Sequence, residues 1–76
     1  MTENLQKILG ILEPKVGPSL AESLIRLKCR KLGIDMQNIP QDRIPVLADD
    51  LFEPLSIFAG PDFAQNLTTR IKNLVP

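Results

Sequence analysis

The octet Gly17-Pro18-Ser19-Leu20-Ala21-Glu22-Ser23-Leu24 occurs a second time, 43 positions later, as Gly60-Pro61-Asp62-Phe63-Ala64-Gln65-Asn66-Leu67. Gly, Pro, Ala and Leu are identical, and the other four positions hold like residues: Ser/Asp, Leu/Phe, Glu/Gln and Ser/Asn. Proline has no amide hydrogen and a φ already near the helical value, so it suits the first position of a helix. The glycine before it either caps the preceding helix in a left-handed conformation or serves as N-cap of the next. In the first copy Ser19 and Glu22 offer a rival start, a capping box. In the second, Asp62 in the first turn opposes the positive end of the helix dipole. Ala21 and Ala64 sit one turn inside, small enough for a neighbouring helix to approach closely.

Each copy follows an apolar run with helical spacing and opens another, so the chain reads as two helix-turn-helix hairpins. Upstream, the same offset pairs Leu5, Ile8, Leu9 and Leu12 with Ala48, Leu51, Phe52 and Leu55. An internal duplication accounts for this, as do two helices that merely share an opening vocabulary. Open arrays of helical hairpins need at least three units. The expectation is therefore an all-α fold, a closed four-helix domain with hairpins over about 3–33 and 42–75 and a linker at 34–41.

Within the first hairpin, Thr2 is the expected N-cap, and Leu5, Ile8, Leu9, Leu12 and Val16 repeat inward. Pro14 should stop this helix near Glu13, because the residue before proline avoids the α region. Gly10 weakens the helix by about 1 kcal/mol relative to alanine, which a close helix crossing there would explain. The second helix should run from about Ser19 to Leu32, with Gly33 as left-handed cap and Ile34 folding back. Its apolar residues Leu20, Ala21, Leu24, Ile25, Leu27, Cys29 and Leu32 span an arc of about 200°. So wide an arc predicts the most buried helix of the four, with Lys28 reaching out between two contact surfaces.

Residues 35–41 read as the longest irregular connection, with Met36 and Ile39 covering an edge of the core. Asp42 is the expected N-cap of the third helix, which leaves Pro45 in the tolerated first turn. Ile44, Leu47, Ala48, Leu51, Phe52, Leu55, Phe58 and Ala59 form its inward stripe. Pro54 removes the bond to the Asp50 carbonyl and should kink this helix or split it. The last helix is expected from Pro61 to about Leu74, with Phe63, Ala64, Leu67, Ile71, Leu74 and Val75 inward.

Seventy-six residues make one small domain. Such a core alone yields only about 3–5 kcal/mol, so idealised packing or a partner subunit is expected to supplement it. The single Cys29 cannot form an internal disulfide, and without histidine the chain offers neither a zinc ligand set nor a Cys-His pair. Cys29 reads as a small core residue. There is no phosphate-cradling glycine loop and no calcium-loop spacing. Asp49, Asp50 and Glu53 read as a solvated acidic face rather than a catalytic pair. The expectation is no catalytic residue, no metal and no cofactor. No apolar run approaches the roughly 20 residues that cross a bilayer, and the start lacks a secretory pattern. A cytoplasmic protein with no membrane association is the expectation.

Two functions remain. The first is a helical interaction or adaptor module that binds a protein partner or itself. Its binding face would be Val46, Asp50, Glu53 and Ile57 on the third helix, apolar ends enclosing carboxylates that select a basic partner. The alternative for Ile57 is that Pro54 bends it back into the core. The second function is a nucleic-acid-binding helix-turn-helix, with Arg26, Arg30 and Lys31 on phosphates. Those residues also suit a small anion-docking site, or simply a helix end whose dipole they complement. Nine basic and nine acidic residues, three phenylalanines and no other aromatic residue count against nucleic acid.

Overall fold

One residue separates the two helices of each hairpin. The computed structural model describes residues 2–75. Its helices are α1 (Glu3–Val16), α2 (Pro18–Leu32), α3 (Ile44–Ala59) and α4 (Pro61–Lys72), and among the described residues there is no strand. Gly17 joins α1 to α2 at φ 90° and ψ 155°, and Gly60 joins α3 to α4 at φ 97° and ψ 165°. That region of the backbone map is essentially closed to residues with a Cβ. Each glycine serves both helices: Gly17 N–H donates to the Glu13 carbonyl and its own carbonyl accepts from Ala21. Gly60 repeats this with Ser56 and Ala64. The proline that follows removes one amide that would otherwise lack a helical partner. Of the two starts open to α2, the Gly-Pro one is adopted. Glu22, the other half of the rival capping box, pairs instead with Arg26 one turn on.

The core draws on all four helices and on Ile39 from the linker. Leu5, Ile8, Ile11 and Leu12 come from α1, and Ala21, Ile25 and Cys29 from α2. Ile44, Leu47, Ala48, Leu51 and Leu55 come from α3, and Ala64, Leu67, Thr68 and Ile71 from α4. Each helix packs on its neighbour in the chain, and α1 also meets α4, which closes the ring. The two hairpins share a hinge geometry but not a packing. The α3–α4 contact is by far the most extensive in the molecule, and α1–α2 is much slighter.

Several helix limits differ from expectation for local reasons. Pro14 does not end α1, which continues to Val16. Both Pro14 and Gly10 are exposed, so water reaches the carbonyl that Pro14 leaves without a donor. Gly10 marks no close crossing either, since nothing lies within 4 Å of a Cβ built on it. Pro54 lies inside α3, which is not split. Asp42 does not cap α3; it belongs to a 3-10 turn, Gln41–Arg43, that leads straight into the helix. Capping falls to Asp35 instead, whose carboxylate accepts from Gln37 N–H at the head of a second such turn, Met36–Asn38. The linker is thus mostly wound. It is fastened by the Asn4 side-chain amide donating to the Ile39 carbonyl at 2.7 Å, while Ile39 is buried and Met36 packs on the core. Thr2 does precede α1, though its hydroxyl makes no cap bond. α4 ends at Lys72, short of Leu74, yet Leu74 and Val75 still cover the core. The end of α2 is as expected. Gly33 is left-handed, and Ile34 N–H donates to the Cys29 carbonyl, a Schellman closure.

The glycines divide by their backbone. Gly17→Ala and Gly60→Ala are each expected to cost about 1–3 kcal/mol from torsional strain alone, since no neighbour obstructs the added methyl. Gly10→Ala should instead stabilise by about 1 kcal/mol. Urea unfolding of the three variants measures this, and equal effects at all three sites would contradict the division.

Candidate interaction surface

α2 is not the most buried helix. Only Ala21, Ile25 and Cys29 are fully covered, a narrow stripe at four-residue spacing, while Leu20 and Leu24 are half-buried and Leu27 is 58% exposed. The wide apolar arc is real, but half of it has no helix against it. At the end of α3 the same thing happens. Phe58 and Ala59, expected to face inward, are exposed, and Phe58 leans on Phe63 across the Gly60 hinge with ring centroids 5.8 Å apart. Ile57 is 81% exposed, so Pro54 does not turn it into the core.

These residues meet. α2 and α3 lie side by side and antiparallel, as contacts at both ends show. At one end Arg43 of the turn before α3 donates to the Leu32 carbonyl, and Lys31 Nζ stands 3.3 Å from Asp50 Oδ2. At the other, Leu20 and Leu24 of α2 and Pro54, Ile57 and Phe58 of α3 line an open groove of about 280 Å³. The seam between the two helices is therefore closed by polar contacts at its linker end and open and apolar at its hinge end. Leu27 extends the apolar surface along α2, beside Ser23, Arg26 and Arg30.

Of the face expected on α3, Val46 and Ile57 are exposed, and Glu53 lies between them on the surface. Asp50 does not stand free in that face. Its Oδ2 is buried without a well-aligned hydrogen bond and is held by the charge of Lys31. Of the three basic residues set aside for phosphate, Arg26 is engaged by Glu22 and Lys31 by Asp50. Arg30 is exposed and has no ion pair among the described residues. Asp49, on the outer side of α3, pairs with Lys72. The sequence marks the α2 arc as wider than one neighbour can cover, but periodicity does not say that Leu20, Leu24, Leu27 and, on α3, Phe58 are the residues left without one.

Cys29 is buried. Burial first, and the nearby Asp35 carboxylate second, push its thiol above the ordinary range. At neutral pH it is thus held protonated, and a protonated thiol is a weak nucleophile. No helix of the described residues is long and apolar enough to cross a membrane. Compared with protein-family models, curated proteins and solved structures, the chain gives no match.

The thiol sets an alkaline limit on stability. In the unfolded chain it ionises near its ordinary pKa of about 8.5, and the folded state holds the proton to higher pH. Its contribution is thus complete below that value and lost as pH rises beyond it. Native Cys29 should react with a disulfide reagent only as fast as the fold opens, and a Cys29→Ala variant should lose part of the alkaline fall in stability. Rapid labelling of the folded protein at neutral pH would contradict this.

Proposed function

We propose that this chain is a small helical protein–protein interaction module, without catalytic activity, that binds through the open hinge end of the α2–α3 seam. The observation that carries the reading is the exposure of Ile57, at 81%, beside Leu27, Phe58 and a groove lined by Leu20, Leu24 and Pro54. Scattered surface apolar residues are ordinary, whereas a contiguous patch rimmed by charge is the usual mark of a protein contact. β-Branched isoleucine is also a middling helix former, where lysine or glutamate would serve solubility better. Val46 and Glu53 lie further along the same side of α3 and extend the surface. The nucleic-acid alternative has less to draw on. Two of its three basic side chains are already paired with carboxylates, and the net charge is zero.

The test is the apparent size of the tagged full chain in an extract of its native cell. The parent should elute well above the mass of one tagged chain, and a Leu27→Lys/Ile57→Lys variant should return to that mass while melting within a few degrees of the parent. Elution of both at monomer size would defeat the reading.

A further inference from the structure

Resting on the interaction reading, we propose that the occupant of the seam is a second copy of this chain, related by a two-fold axis that runs along the seam. A two-fold interface must be self-complementary, so that every knob has its hole and every charge its counter-charge on the same patch. This patch meets both conditions. It carries a projecting side chain, Ile57, next to a groove of a size to receive one. Its two edges carry opposite charge: Arg30 on the α2 edge and Glu53 on the α3 edge, both exposed and neither in an ion pair among the described residues.

The direction of the axis follows from the charges and from the register of the helices. The Lys31–Asp50 bridge marks one common height on the antiparallel pair. Leu24 and Ile57 each stand seven residues from it toward the hinges, and Leu27 and Pro54 each stand four. At about 1.5 Å per residue, Leu24 is level with Ile57 and Leu27 with Pro54. Arg30 and Glu53, one and three residues from the bridge, differ by only about 3 Å. A two-fold axis along the seam lays α2 of one copy on α3 of the other at unchanged height. Leu24 then meets Ile57 of the second copy, Leu27 meets Pro54, and Arg30 meets Glu53, each contact made twice. An axis across the seam would instead stack α2 on α2 and α3 on α3 with heights reversed, so that Arg30 and Glu53 lie over their own kind of helix and never meet. The charge layout selects the first arrangement.

The test uses the purified full chain in sedimentation equilibrium at low ionic strength, where screening is weakest, from micromolar to millimolar concentration. The parent should show a reversible monomer–dimer equilibrium. Arg30→Glu sets glutamate against Glu53, and Glu53→Arg sets arginine against Arg30, so each variant alone should dimerise roughly tenfold more weakly or worse. Mixed together, the two variants form only attractive contacts, and the mixture should recover a 1:1 heterodimer at least as tight as the parent. Both positions are exposed, and unchanged circular dichroism is expected for each variant. A mixture no tighter than its components overturns the proposal, as does a parent that stays monomeric at millimolar concentration. A monomeric pure protein that still runs in a larger complex in cell extract assigns the seam to a different protein, which overturns the second copy but not the interaction reading. Monomeric behaviour in both settings overturns both.

Discussion

Gly17 and Gly60 hold a backbone conformation that only glycine adopts without strain, and each does so between two helices with no other residue to spare. The connection leaves no slack. The last amide bond of one helix and the first carbonyl bond of the next fall on the same residue, so the angle between the helices is set by two torsions and a proline ring. Everything apolar that follows must work with that angle. In α3–α4 the helices close tightly and bury Ala64, Leu67, Thr68 and Ile71. In α1–α2 the contact is slighter, and the outer apolar side chains of α2 stay partly in water.

The consequence is a seam of unlike ends. Near the linker, α2 and α3 are tied by Lys31 to Asp50 and by Arg43 to the Leu32 carbonyl. The Lys31–Asp50 ion pair spans the two helices and holds them in register. Near the hinges no polar tie exists among the described residues, and leucines of α2 face Pro54, Ile57 and Phe58 of α3 across open space. A domain this small has little apolar surface to leave uncovered. The proposal that a protein surface covers this one follows from that economy and from the charges at its edges.

Much of this was legible in the sequence. The Gly-Pro octets announced both hinges and both hairpins, and the three- and four-residue spacing of Leu5, Ile8 and Leu12 and of Leu47, Leu51 and Leu55 gave the core faces. What was not legible depended on neighbours. Pro14 is tolerated because its turn is solvated, a fact of packing that no local rule contains. Leu27 and Phe58 have the same periodic credentials as buried leucines, and differ only in having no helix opposite. Asp50 was read as solvated because α3 alone places it outward, whereas Lys31 arrives from α2. The exposure of Val46, Glu53 and Ile57 and the excess width of the α2 arc were legible, whereas which residues of that arc stay uncovered was not.

The central claim is that the hinge end of the seam is a contact surface, here between two copies. Isotope-filtered NMR on an equal mixture of labelled and unlabelled chain tests it most directly, because it reports only contacts between molecules. The account predicts intermolecular cross-peaks from the methyls of Ile57 to those of Leu24, together with contacts from Leu27 to the ring protons of Pro54. Their absence at millimolar concentration, or cross-peaks joining Leu24 to Leu24 and Ile57 to Ile57 instead, would contradict it.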